Sequence, residues 1–286
     1  MKKTKITRLS VLIIVIALTV AGCAKQLSSS SKGENNLEYG FTGSESYSYI
    51  QTSDVIQSIV FGGQDVNTSI KTRTGFTAEA KGISQGDLIL EITVDTLLMS
   101  INSMGTSMNE DISDVRGKSF LMTMSKKGKD LNLDEAENIS YSIAGLQTSN
   151  LKTSFITIFP ALPEGNISVG YTWPDTDTIM VNTETENSEM ILSTDYTVEA
   201  REKVSGYDCF RISYVSSGTS DGSSQTPQGL VVSNADVNIT GYYYFAIKEG
   251  VIISDHSEMK SDGDLGLPSG ESIPMYTTVS TDLKLL

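Results

Sequence analysis

Histidine, tryptophan, cysteine and proline are all scarce in this 286-residue chain, and each shortage excludes something. His256 is the only histidine, so any imidazole-based acid/base or metal chemistry has to use that one residue. Two cysteines, Cys23 and Cys209, are too few for the disulfide framework on which small secreted domains rely. Positive charge is also short, with 21 basic against 35 acidic residues and a formal net charge of −14. Nucleic acid needs a basic stripe as its electrostatic footprint, so it is excluded as an expected partner. Long apolar runs are absent too. The unbroken run Val11 to Leu18 falls well short of the roughly 20 residues that span a bilayer.

That short run has its own meaning. Lys2, Lys3, Lys5 and Arg8 precede it and Val20-Ala21-Gly22-Cys23 follows it, giving the charged region, apolar region and small-residue cleavage site of a secretory signal peptide over 1–22. The last four residues resemble the lipobox of bacterial lipoproteins. The resemblance implies that Cys23 becomes an acylated N-terminus, holding the chain on the extracytoplasmic face of the cell membrane. Several acyl chains on one residue anchor stably where a single one binds reversibly. Cleavage removes four basic and no acidic residues, taking the formal charge from −14 to −18, so an anionic headgroup surface repels the exported part. With Cys23 acylated no intramolecular disulfide is possible, and Cys209 is expected as a buried thiol. Residues 23–43, rich in Ser, Asn and Gly, read as a lipidated cysteine plus flexible tether, leaving 44–286 as a single domain.

Period-two alternation dominates that domain. Leu88, Leu90, Ile92 and Val94 share one face of a strand, while Glu91 and Thr93 point away. The pattern recurs at Phe210 to Tyr214, Val251 to His256 and Val279 to Leu285, and further strands fit Tyr47 to Ile59, Ile70 to Ala80 and Ile191 to Glu199. The expected fold is mainly β: one large curved antiparallel sheet, half-barrel or sandwich-like, built from two β halves (44–133 and 164–286). Between them, over 134–163, apolar residues from Ile139 to Phe159 recur mostly at three or four, which predicts a central helix or helix pair with Asp134 as its cap. Gly117 to Gly128 and Gly241 to Gly250 each lead from a strand into a Lys-containing Gly turn, as related halves would.

Phe159-Pro160-Ala161-Leu162-Pro163-Glu164-Gly165, followed by Val169-Gly170-Tyr171-Thr172-Trp173, resembles an uncharacterised family of bacterial lipoproteins with a Phe-Pro-x-Leu-Pro segment before Val-Gly-Asp-Thr-Trp. Tyr171 departs from that pattern, and the family implies no activity. Physically the segment reads as a turn followed by a strand beginning at Trp173. The two-halves layout is similar, by architecture alone, to carriers and outer-membrane receptors for lipoproteins, in which a curved sheet wraps an apolar cavity.

Candidate chemistry is thin. Gly218-Thr219-Ser220-Asp221-Gly222 matches a hydrolase nucleophile pattern, yet it continues into polar residues with no helix to enter, and a solvated hairpin loop is expected. His256 shares its strand face with Ser254 and Glu258, a polar outer face. Asp262-Gly263-Asp264-Leu265-Gly266 is similar to a calcium loop but lacks its third ligand, so a loop of solvated acids is expected. Met99, Met104, Met108, Met122 and Met124 place half of the ten methionines within one stretch; methionine suits adaptable apolar pockets and also fills ordinary cores. The reading is a non-enzymatic, membrane-anchored lipoprotein without metal or cofactor that binds an apolar ligand, through those methionines, or a cell-envelope partner. The alternative is an interaction module with a filled core, and a hydrolase stands behind both.

Overall fold

The computed structural model describes residues 35–42, 46–129, 132–143, 147–182, 186–226 and 228–286. The leader 1–22, Cys23 and the tether as far as residue 34 lie outside them. In chain order the strands are β1 (Asn35–Asn36), β2 (Tyr47–Phe61), β3 (Gln64–Ser84), β4 (Asp87–Ser103), β5 (Thr106–Asp111), β6 (Ser119–Met124), β7 (Ser140–Ile143), β8 (Gln147–Asn150), β9 (Asn166–Ile167), β10 (Thr172–Asn182), β11 (Glu186–Val204), β12 (Tyr207–Thr226), β13 (Gly229–Ala246), β14 (Val251–Gly266) and β15 (Ser272–Leu285).

Eleven of these form one open antiparallel sheet. Its order is β10-β11-β12-β13-β14-β15-β2-β3-β4-β5, with β6 beside β5 on the free side of β4. Almost every neighbour is also a neighbour in sequence, so the sheet is a meander of hairpins. Besides β6 on β4, the exception joins β15 to β2 from Leu285 opposite Tyr49 to Met275 opposite Ile59, which fuses the two expected halves into a continuous surface.

The strands outrun the apolar alternation that announces them. β12 is 20 residues long and its second half is nearly all Ser, Thr, Gly and Asp. Pairing by backbone on both sides extends such a segment whatever its side chains. This corrects two expectations: Gly218 to Gly222 lies inside β12 rather than in a loop, and Asp262 to Gly266 lies inside β14. Glycine has a different job there. A Cβ on Gly218 would sit 1.8 Å from the carbonyl oxygen of Ile191, and one on Gly263 would sit 1.9 Å from that of Asn234, so both mark close backbone approach in a tightly coiled sheet. Register shifts at Gly75/Phe76, Ala80/Gly82, Val198/Ala200 and Tyr244/Phe245 add further curl.

The segment crossing the concave side is less helical than its spacing suggests. Two short helices, α1 (Asp134–Glu137) and α2 (Leu151–Phe155), flank a hairpin of β7 and β8. Tyr141 and Ile143 are buried and Ser140 and Ser142 exposed, so the four-residue step from Ile139 to Ile143 is two strand repeats and not one helical turn. Asp134 does not cap α1; the capping side chain is Asn150 at the start of α2, whose oxygen accepts from the Thr153 amide.

The tether also ends earlier than expected. Leu37, Tyr39 and Phe41 are buried, so residues 37–42 form a strap across the concave side. The Tyr39 amide donates to the Lys126 carbonyl at 2.7 Å, and the Gly40 amide to that of Gly250 at 3.1 Å. The two Gly turns noticed in the sequence therefore clasp the strap from opposite sides. Gly128 and Gly250 have φ of 75° and 68°, and a Cβ on Gly250 would lie 2.5 Å from the Gly40 nitrogen. Phe159 meets Tyr39 and Phe41 edge-on at 5.6 and 5.5 Å, and the Tyr39 hydroxyl donates to the Pro160 carbonyl at 2.8 Å. The Phe-Pro-x-Leu-Pro segment is thus the bed on which the strap lies. One core fills this space, and a smaller one of Val231, Leu265, Ile273 and Met275 sits toward the other end of the strands.

Candidate functional site

Inside the curved sheet the five methionines separate. Met122 and Met124 on β6 and Met99 on β4 are buried in the main core, and Met108 on β5 packs against it half-buried. Met104, in the turn between β4 and β5, is exposed with a positive φ of 50°. Around Met122 and Met124 the cluster contains Phe76, Leu151 and Phe155, all with no exposed surface. Phe155 contacts Phe76 and Phe120 edge-on, each at 5.1 Å. A void large enough for a ligand would leave accessible surface on its walls, so these side chains pack against one another.

Further along the concave face the lining becomes aromatic and acidic. Trp173 on β10 stacks on Tyr196 of β11 at 4.8 Å, and Tyr196 stands opposite Tyr214 of β12. The next residue in that row is Gly241; its missing side chain lets the Tyr214 ring lie over β13 and its hydroxyl reach Asp255 Oδ1 at 3.3 Å. Burial pushes the carboxyl of Asp255 up to about 7, against the pull of Tyr214 and His256, and that of buried Asp175 up to about 6, against the pull of Lys129. The Tyr243 hydroxyl in the same region is buried and finds no partner among the described residues.

A separate open groove of about 820 Å³ crosses the convex face over β15, β2, β3, β4 and β5. One rung of paired residues runs through it: Asp282, Thr52, Arg73, Leu98 and Asp111. Ser280, Asp54, Lys71, Ser100 and Asn109 form the next. Lys71 pairs with Asp54, Arg116 grips both oxygens of Asp111, and His256 Nδ1 lies 2.8 Å from Asp282 Oδ1. Volumes of this size suit small ligands and peptide segments.

The remaining candidates fall on separate surfaces. Ser220 is buried on β12, paired between Met190 and Ala235 on the concave face, whereas His256 is on the convex face beside Tyr242. No dyad joins them. Cys209 is buried and free, its thiol pushed up to about 11 by burial, as expected of a packing residue. Among the described residues no group of three His, Cys, Asp or Glu side chains is placed to hold a metal ion.

No family model and no curated protein matches the chain. Among solved structures, a double mutant of the Rh. blastica porin is similar at 10% identity and a TM-score of 0.23, over 83% of this chain and 99% of the porin. A DUF1329 family protein from Desulfovibrio piger is similar at 12% identity and a TM-score of 0.17, over 82% of this chain and 85% of that one. Scores this low carry no argument about the present chain. Its groove was missed by sequence reading because alternation sends Arg73 and Asp282 outward without placing them on one rung. Only the pairing of β15 with β2 does that.

Proposed function

We propose that this protein is a non-enzymatic lipoprotein, held on the extracytoplasmic face of the membrane by acyl chains on Cys23, which binds a cell-envelope partner on the convex face of its sheet. The observation that carries this reading is the filled concave side. Met122, Met124 and the aromatic residues around them have no exposed surface, and the strap and the Phe159 to Pro163 segment lie where a carrier would hold an apolar ligand. The groove on the convex face supplies the accessible alternative. Absence of catalysis is supported by the separation of Ser220 from His256 and by the raised pKa of the Cys209 thiol, which leaves little thiolate at neutral pH.

Photo-crosslinking in the native envelope tests this. Benzoylphenylalanine at Leu98, on the groove floor, is expected to give a discrete adduct, and the same group at exposed Leu230 near the far end of the sheet is expected to give none. Equal labelling from both positions, or from neither, overturns the reading.

A further inference from the structure

Lys127 and Asn36 meet where the strap begins. Lys127 Nζ lies 2.6 Å from Asn36 Oδ1 and 2.6 Å from the Leu37 carbonyl oxygen, and the Asn36 side-chain nitrogen donates to Glu38 Oε1 at 2.8 Å. An amine, a carboxamide and a carboxylate thus stand in series. With a C=O bond of about 1.23 Å, Nζ is roughly 3 to 4 Å from the carboxamide carbon of Asn36, close to a near-attack separation. Both partners sit on fixed backbone. Asn36 belongs to β1 and pairs with Asn166 of β9. Lys127 follows the Lys126 carbonyl that accepts from the Tyr39 amide, and its own carbonyl accepts from Leu162 at 2.8 Å. A lysine attacks only as the free amine, and burial pulls the Lys127 amine below the usual lysine range, against the pull of Glu164 and Glu38.

We propose that Lys127 and Asn36 join in an isopeptide bond, a covalent modification that ties the strap to the turn after β6. Nζ attacks Cγ of Asn36; the Nζ–Cγ bond forms and the Cγ–Nδ2 bond breaks. One proton passes from Nζ by way of Glu38 to Nδ2, which leaves as ammonia into solvent on the exposed side of Asn36. The exchange of one amide for another consumes no oxidant and no co-reactant. Lys126 Nζ, 3.5 Å from the second oxygen of Glu38, keeps that carboxylate in place. The product amide retains one N–H, and the Leu37 carbonyl is positioned to accept from it. The bond closes a covalent loop from residue 36 to residue 127 through β2 to β6, so the strap cannot peel from the concave side without the β6 turn. Like a disulfide across a long loop, it restricts the unfolded chain.

The test is a tryptic digest of the full-length protein from its own host, denatured, reduced and sequenced by tandem mass spectrometry. A branched peptide joining the Asn36 and Lys127 segments is expected, uncleaved after Lys127 and lighter than the two linear peptides together by one ammonia. Lys127→Arg keeps the positive charge but not the amine nucleophile, and only linear peptides are expected from it. Glu38→Gln still offers Asn36 Nδ2 an acceptor but cannot carry the proton, so the branched peptide should fall about tenfold or more while the chain stays folded. Linear peptides alone from the wild type overturn the inference. So does a branched peptide undiminished in Glu38→Gln, or ammonia lost from the Asn36 peptide with no second peptide attached, which marks ring closure onto the Leu37 amide instead.

Discussion

Asp175 and Asp255 keep their protons in the folded chain up to about pH 6 and about pH 7, because burial disfavours the carboxylate form. An unfolded aspartate lets go near pH 3.9. The folded state therefore binds these protons more tightly, and the stability they contribute is complete below about pH 4 and lost as pH rises through 6 and 7. For buried Asp175 the loss is at most about 3 kcal/mol. Urea midpoints should fall from about pH 4.5 to 8, and Asp175→Asn and Asp255→Asn should each flatten the fall and raise the midpoint at the alkaline end. Midpoints in the variants that track the wild type across this range would refute the assignment. Neither aspartate was distinguishable in the sequence from the many solvated acids. Their surroundings depend on Gly241 making room for Tyr214 and on Trp173 stacking over Tyr196, which are cross-strand relations. Cys209, by contrast, was legible, because an uncharged thiol beside Phe210 in an alternating strand has little to do but pack.

Elements were legible where one face is apolar and the other polar, and obscure elsewhere. β4 announces itself through Leu88, Leu90, Ile92 and Val94; the distal half of β12 does not, because its pairing owes nothing to its side chains. The strap was hidden for a related reason. Leu37, Tyr39 and Phe41 alternate over too few residues to stand out beside Ser- and Asn-rich sequence, yet all three are buried. It is held by main-chain bonds to two turns and by Lys127, which donates to the Leu37 carbonyl at 2.6 Å and whose pKa burial lowers. A chain begun at residue 46 should therefore melt well below one begun at residue 35. Loss of a single buried aromatic costs about 3 to 5 kcal/mol, so the shift should be about 10 °C or more. Tyr39→Ala alone should lower the melting temperature by much of the same amount, and equal melting temperatures for the two chains would return residues 35–42 to the tether.

At the scale of the molecule, a meander of long strands curls around its own connecting segment and strap. The half-barrel and its two halves were readable from alternation and from the break near Pro160 and Pro163. The fusion of the halves through β15 and β2 was not, since antiparallel pairing of the last strand with the first leaves no local trace. That joint creates the convex groove, while the strap and the Phe159 to Pro163 segment fill the concave side, and this is why we propose the outside of the sheet as the binding face. Native mass spectrometry of the protein purified from its own host, before and after solvent extraction, addresses this most directly. The account predicts the mass of the chain with the acyl groups proposed on Cys23, and nothing more, at both steps; an additional mass that extraction removes would place a ligand inside the sheet and contradict it.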